Sequence, residues 1–399
     1  MADALVVGAG LTGLIAAKTI AEKGFSVIIY EEHKSVGVPN HCAGLISAEG
    51  FSRLNIELNS SVIQNRVMGG RIYSPNGTCI EIKDKKIRAY AIDREKLDLS
   101  LMNKAVDAGA KLVTGSKVTS LILKGRSVTG INGTNFNSTG LITIDAEGAS
   151  RRLLKSSGWY TKESRPLIGV NVEADVKVED GIVEIWLGEK LAKGFFSWVI
   201  PLEKGKARIG LATQGNDAIE RLVSFIKIRF GSPKFSNLRA GLVLTDGPLD
   251  RTSYPGLLLV GDAAGHVKPT TGGGVVLGGM CAMEAGLTAL EAIKTGDNSG
   301  KFLKRYDNNW KKRFRGEFNS MLLLRRFINS VNDDSIDRAF EAVKEDELDS
   351  ALTSLVKAGD MDLQREVIRR ALGNTKLFAV LLRVAGRAAL SELGSFVNI

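Results

Sequence analysis

Hydrophobic and polar positions change period several times along the chain, and each change predicts an element. Residues 4–7 are a short continuous apolar run. Ile15, Ala16, Ala17 and Ile20 recur at helical spacing, and residues 27–30 are apolar again. This is a strand, a helix and a second strand, the βαβ unit that builds a parallel sheet. Gly24 is expected to cap the helix, because glycine adopts the left-handed turn that ends helices. Between residues 67 and 82, two alternating runs flank Ser74-Pro75-Asn76-Gly77, and Asn-Gly is a strong hairpin signal. A helix is expected over 94–108, with strands over 111–113, 118–123 and 141–145. Val170, Val172, Ala174, Val176 and Val178 alternate strictly, as a half-buried antiparallel strand requires, and strands continue to Thr213. Residues 257–260 form a buried strand that runs into a second glycine-rich turn and helix. The last hundred residues look helical. Leu377, Val380, Leu381, Val384 and Ala388 share one face, and Gly373-Asn374 stops the preceding helix.

The order is βαβ material, an inserted antiparallel sheet, a return to βα material and then helices. A nucleotide-binding domain assembled from separated segments has this order. The expected fold class is therefore α/β (α+β): a Rossmann-like domain from residues 1–65, 90–165 and 245–300, an antiparallel-sheet domain from 66–89 and 166–244, and a helical region over 301–399.

Composition narrows the picture modestly. The 399 residues suffice for two or three domains, and 44% hydrophobic with 25% charged residues is ordinary for a globular chain. Three cysteines (Cys42, Cys79 and Cys281) cannot build a disulfide framework and none lies at metal-site spacing, so a reducing, cytoplasmic setting and no metal are expected. The opening residues lack a basic leader, so no secretory signal is expected. No apolar stretch is expected to reach the roughly 18 residues of a membrane span. Work on lipid would then proceed from the membrane surface. The formal charge of +10 favours anionic partners. Lys301, Lys304, Arg305, Lys311, Lys312, Arg313 and Arg315 supply much of it, as either a solvated helix face or a membrane-facing one.

The candidate chemistry begins at Gly8-Ala9-Gly10-Leu11-Thr12-Gly13, a GxGxxG set between strand and helix. Gly8 permits the tight turn, Gly10 lets backbone approach a pyrophosphate, and Gly13 lets helix and strand pack closely. The helix start offers amides and a positive dipole end. Glu31, with Glu32 beside it, closes the second strand about twenty residues on, where a carboxylate accepts hydrogen bonds from a ribose. This unit alone does not separate FAD from NAD. Gly261-Asp262 does: it delivers an acid to a helix start, where Asp262 can bind the polyol of a ribityl chain. A plain helix cap is the alternative for Asp262.

With these motifs the chain resembles the geranylgeranyl reductase family, within the FAD enzymes built like p-hydroxybenzoate hydroxylase. The resemblance covers roughly residues 1–300. It implies non-covalent FAD held by Gly8, Gly10, Leu11, Thr12, Gly13, Glu31 and Glu32, with Arg94 near the flavin phosphates. Asp145-Ala146-Glu147-Gly148 resembles the class's aspartate-glycine motif, with Glu147 in the usual aspartate position and Gly148 after it. Gly272, Gly273, Gly274 and Val275 should present amides to the flavin's pyrimidine edge. Pro39-Asn40-His41-Cys42-Ala43-Gly44 resembles the family's Pro-x-x-Cys-x-Gly signature, which implies that Cys42 and Ala43 lie beside the flavin. Phe196-Ser197-Trp198-Val199-Ile200-Pro201 resembles its Tyr-x-Trp-x-Phe-Pro stretch, with Phe196, Trp198 and Pro201 lining substrate. Phe196 and Ile200 replace tyrosine and phenylalanine, so the cavity loses a hydroxyl.

The implied reaction is reduction of isoprenoid double bonds on a digeranylgeranylglycerophospholipid or on geranylgeranyl diphosphate. Cys42 and His41 are the catalytic candidates, for protonation or for shaping it; the alternative is a small buried hydrophobe for Cys42, and a surface or structural histidine is the favoured reading of His41. His266, at the start of the helix after Gly265, reads as structural, with a place near the flavin as the alternative. NAD(P)H binding transiently or reduced ferredoxin would supply electrons, since no second GxGxxG exists. Nucleic acid is not an expected partner. The rivals are a monooxygenase of an aromatic or terpenoid, an electron-transfer flavoprotein acting on a quinone, and a non-catalytic lipid-binding flavoprotein. The quinone reading normally needs an iron–sulfur cluster, which three scattered cysteines cannot ligate.

Overall fold

The computed structural model describes residues 1–159 and 165–384. The chain separates into two units, each built from three segments. The first takes Met1–Asn40, Arg94–Arg165 and Asp246–Arg315; the second takes His41–Asp93, Pro166–Thr245 and Gly316–Ile399.

In the first unit the expected βαβ opening is strand Ala2–Val7, helix Leu11–Ala21 and strand Val27–Tyr30. The strands are parallel and nearly all apolar, as strands covered on both faces should be. Strands Lys111–Val113, Asn137–Asp145 and Leu257–Leu259 join them, in the order 111–113, 27–30, 2–7, 137–145, 257–259. Register sets Val113, Tyr30, Val7, Asp145 and Leu259 in one row at the carboxyl ends of these strands. Open parallel sheets bind ligands beyond that edge. Gly24 is not the cap itself: the helix stops at Ala21 with Glu22 as its cap, and Gly24, at φ +81°, turns the chain toward the next strand.

Helix Val275–Thr295 corrects the reading of apolar length. It is long and apolar enough to cross a membrane, yet 72% of its apolar window is buried within the protein. It packs on helix Leu11–Ala21, where a Cβ on Gly286 would stand 2.8 Å from Thr19 Cβ and 3.1 Å from the Ala16 carbonyl. Small residues bring the two backbones together, and that contact consumes the apolar surface.

The second unit holds a seven-stranded sheet in the order Phe235–Val243, Leu167–Asp175, Lys206–Thr213, Ser197–Pro201, Ile182–Trp186, Gly69–Tyr73, Cys79–Lys83. The expected hairpin is its edge pair. The alternating strand ends at Asp175, so Val176 and Val178 lie past it. Helix Ala218–Phe230 covers one face, packing Leu222, Phe225 and Ile226 with Val170, Val172, Ile209 and Leu211. The period of two leaves Asn171, Glu173, Trp198, Arg208 and Gly210 on the other face.

Two expected boundaries differ from these units. Residues 41–65 and 90–93 belong to the second unit, because Leu45–Ser47, Ala89–Ile92 and Ile63–Val67 pair as a small antiparallel sheet. No break falls at residue 300. Helix Gly300–Ser330 starts in the first unit, where Leu303, Tyr306, Trp310 and Phe314 are buried and the Tyr306 hydroxyl donates to the Leu259 carbonyl at 2.8 Å. The helices Asp333–Glu345, Asp349–Ala358, Arg365–Gly373 and Thr375–Val384 follow, with Val343, Leu348, Leu377 and Val380 packed around Ile80. Ala388 lies outside the described residues.

Candidate cofactor site and cysteine loop

The first glycine turn is built by close approach. Gly8 sits at φ +99°, and a Cβ there would meet the Ala146 carbonyl oxygen at 2.5 Å. A Cβ on Gly13 would stand 2.1 Å from the Gly8 carbonyl oxygen. Gly10 differs: a Cβ there meets nothing within 4 Å. Gly10 is the helix N-cap without a capping side chain, and no acid occupies the first turn. The opening amides, those of Leu11, Thr12 and Gly13, therefore face a space with no side-chain cap, which is what an incoming pyrophosphate requires.

Glu31 holds this turn from the neighbouring strand. Its Oε2 accepts from the Ala9 amide at 2.8 Å, and its Oε1 accepts from the His33 amide and Nδ1 at 2.9 and 2.7 Å. Each carboxylate oxygen has two lone pairs, so capacity remains for a ribose hydroxyl. Glu32 is exposed and faces Lys117 and Arg152 at 3.3 and 3.6 Å. Arg94 opens helix Arg94–Asp107 and is oriented by Asp98, with Nη2 at 3.1 and 3.2 Å from its two oxygens.

The second glycine cluster meets the first inside the same unit. A Cβ on Gly261 would stand 2.6 Å from Thr12 Oγ1. A Cβ on Gly274 would stand 2.8 Å from Asp262 Oδ1, so only glycine lets the start of helix Val275–Thr295 approach that acid. That helix also starts without a side-chain cap or an early acid. Gly272, at φ +67°, and Gly273 form the turn before it, closed by Gly272 and Lys268 amides. Burial pushes the Asp262 carboxyl above the usual range, with the Arg151 and Arg94 cations pulling it back. Asp145, at the end of its strand, is driven well above that range by burial and by Glu147 nearby. Its Oδ1 accepts from the Glu147 amide at 3.0 Å, and its buried Oδ2 has no partner among the described residues. Glu147 is taken up structurally: its carboxylate accepts from the Leu153 amide at 2.8 Å and Ser150 Oγ at 3.2 Å, holding the short helix Arg152–Ser156. Gly148, at φ +85°, borders open space.

These groups fit FAD. The open cradle at Gly10 suits a pyrophosphate, Glu31 a ribose, and half-buried Asp262 a ribityl polyol. The uncapped amides before Val275 suit the carbonyl edge of a flavin.

In the second unit the Cys42 loop lies against the face of the seven-stranded sheet opposite helix Ala218–Phe230. Cys42 is half-buried, and its Sγ accepts from the Gly44 amide at 3.3 Å. His41 is exposed, with its ring packed over Gly241, where a Cβ would stand 2.9 Å from His41 Cβ. Trp198 lies flat over Gly210, where a Cβ would approach its indole to 2.5 Å. Phe196 stacks on Phe195 at 4.2 Å between ring centres and meets Trp198 edge-on at 6.1 Å. Pro201 is buried and ends the Trp198 strand. The Trp198 Nε1 donor is buried without a partner among the described residues, an unmet donor beside an aromatic wall.

Sequence reasoning missed Arg151, Asn171, Glu173 and Arg208. Arg151 is 2% exposed and its Nε donates to the Asp262 carbonyl at 3.3 Å. Arg208 is 1% exposed, and its signal was a charge inside an otherwise apolar strand. His266 is wholly buried beside Tyr306 and Trp310.

A family model described as an FAD binding domain matches residues 1–316. The chain is 30% identical over 370 residues to a digeranylgeranylglycerophospholipid reductase of Methanosarcina acetivorans, covering 87% of this chain and 90% of the relative. It is 31% identical over 359 residues to digeranylgeranylglycerophospholipid reductase 2 of Methanothermobacter thermautotrophicus, covering 87% and 93%. In fold it is similar to a geranylgeranyl bacteriochlorophyll reductase-like protein from Thermoplasma acidophilum, with a TM-score of 0.83 at 24% identity over 96% of this chain and 99% of that one. A flavin-dependent brominase shares the fold at a TM-score of 0.68 and 15% identity, over 94% and 98%.

Proposed function

We propose, from this chain's membership of the family of digeranylgeranylglycerophospholipid reductases and its own match to an FAD binding domain, that it saturates isoprenoid double bonds of geranylgeranyl chains on a glycerophospholipid. The observation that carries the reading is the reach of the similarity, 87% of this chain and 90% of a relative bearing that name. Bound and reduced, FAD supplies the hydride that adds to one alkene carbon. An unactivated alkene gives the protein no charge to stabilise in the ground state, so positioning and exclusion of water are its main contributions. In the first unit, Glu31, Asp262 and the two uncapped helix starts hold the cofactor. In the second, Phe196 and Trp198 line the prenyl chain, and the Cys42 loop shapes or assists delivery of a proton to the other alkene carbon.

The single GxGxxG supports an electron donor that binds only transiently, either NAD(P)H or reduced ferredoxin. The cations between Lys301 and Arg315 are exposed except for half-buried Lys311, and they suit a phosphate headgroup or an anionic membrane surface. The proton role is tested by Cys42→Ser, with flavin content and turnover measured together. A thiol that delivers the proton predicts full flavin and turnover reduced about a hundredfold or more, the usual contribution of a positioned acid. Unchanged turnover removes Cys42 from proton delivery.

A further inference from the structure

The carbonyls of the Cys42 loop are held by the sheet beneath it, through residues that the family signature does not contain. Arg208 Nη1 donates to the Ala43 carbonyl at 2.9 Å and to the Ile92 carbonyl at 3.3 Å. Its Nη2 donates to Gln64 Oε1 and Glu173 Oε1, both at 2.9 Å. Glu173 is fixed in turn by Arg239 at 3.0 Å and Asn237 at 3.2 Å. Two residues back in the loop, the His41 carbonyl accepts from Asn171 Nδ2 at 3.4 Å. Cys42 therefore stands between two carbonyls that the sheet grips. The glycine of the signature has its reason here as well. Gly44 sits at φ +69°, and a Cβ there would meet Arg208 Nη1 at 2.5 Å and the Ile92 carbonyl at 2.6 Å.

We propose that Arg208, backed by Glu173, is a positioning residue that sets the placement of the Cys42 loop, and through it turnover, by clamping the Ala43 carbonyl to the sheet. A buried charge on an apolar strand is costly unless its bonds are satisfied. This guanidinium uses its planar fork to reach four acceptors, three of them around the loop or its neighbouring strands, rather than one carboxylate. Lysine at this position keeps the charge but cannot span those acceptors from a single nitrogen. The turnover part of the proposal rests on the prenyl-reductase reading; the clamp itself does not.

The test compares Arg208→Lys with Arg229→Lys. Arg229 also pairs with a glutamate of the same unit, Glu184, through two bonds at 2.8 and 2.9 Å, with no bond to the loop. Iodoacetamide labelling of the full chain, read by peptide mass spectrometry, follows Cys42 with Cys79 as internal control. R208K should raise the Cys42 labelling rate about tenfold and leave Cys79 within about twofold, while R229K should leave both unchanged. With lipid substrate, kcat should fall about tenfold in R208K with KM within about twofold, the split expected of misplacement rather than lost binding. Glu173→Gln, which keeps an acceptor but loses the charge, guards against loss of folding in R208K and should raise Cys42 labelling about threefold. An unchanged Cys42 rate in folded R208K, an equal rise in R229K, or an unchanged E173Q where R208K does not fold overturns the clamp. If the wild-type protein reduces no prenyl lipid, the reading of function fails, and labelling still decides the clamp.

Discussion

Asp262 is a half-buried residue whose carboxyl stands next to a helix start, and desolvation and ligand binding act on it in opposite directions. Burial raises its pKa, so in the absence of ligand hydroxyls the acid costs the fold stability. Hydroxyls of a ribityl chain would satisfy it. Asp262→Ala should therefore weaken FAD binding by about 1.5–3 kcal/mol, roughly tenfold to a hundredfold, while leaving the melting temperature of the FAD-free protein unchanged or higher. Flavin titration and melting curves on the same preparations read both; a destabilised FAD-free protein with unaltered affinity would make Asp262 a helix cap instead. His266 carries a pH dependence. Burial, followed by the Arg151 and Lys311 cations against an opposing Asp307, lowers it from its ordinary 6.5 to about 3. Its folded-state pKa is depressed, so its contribution to stability is full above pH 6.5 and is lost as the pH falls toward 3, where the unfolded chain binds the proton first. His266→Phe should flatten the fall of melting temperature between about pH 6.5 and 4; an unaltered slope would place the sensitivity elsewhere.

At the scale of elements, the glycine turns separate packing from binding. Gly13→Ala drives a Cβ to 2.1 Å from backbone oxygen, so strand and helix must part and the first unit should lose stability. Gly10→Ala enters open space at φ −72°, a conformation alanine adopts freely. It should change the stability of the FAD-free protein by less than about 1 kcal/mol and weaken FAD binding at least tenfold, because the methyl occupies the pyrophosphate cradle. Calorimetry without FAD and flavin titration read the two effects; equal affinity in G10A would move the pyrophosphate elsewhere. These turns were legible in the sequence because a βαβ unit is local: its period, its glycines and Glu31 lie within about thirty residues. The small sheet of Leu45–Ser47, Ile63–Val67 and Ala89–Ile92 was not, since very short strands carry no period and pair across long separations. The helix after the second glycine turn was expected, but the apolar length of Val275–Thr295 was not, because glycines dilute its apolar run, and those same glycines bury it on helix Leu11–Ala21. Arg208 was hidden for a related reason: its partners Ala43, Gln64, Ile92 and Glu173 are drawn from four separate segments, and tertiary structure alone assembles them.

For the whole molecule, the fold leaves the reaction open. A brominase and a reductase-like protein both share it, so the site and family membership carry the functional reading. The first unit supplies an FAD cradle that either chemistry can use. What separates them is the fate of a reduced flavin when an alkene arrives without oxygen. The decisive measurement is anaerobic: the FAD-loaded protein is reduced with dithionite, a digeranylgeranyl glycerophospholipid is added, and flavin absorbance is followed while the lipid is weighed by mass spectrometry. The flavin should reoxidise and the lipid should gain about two mass units for each double bond saturated. A flavin that stays reduced until air is admitted, with lipid of unchanged mass, would contradict it.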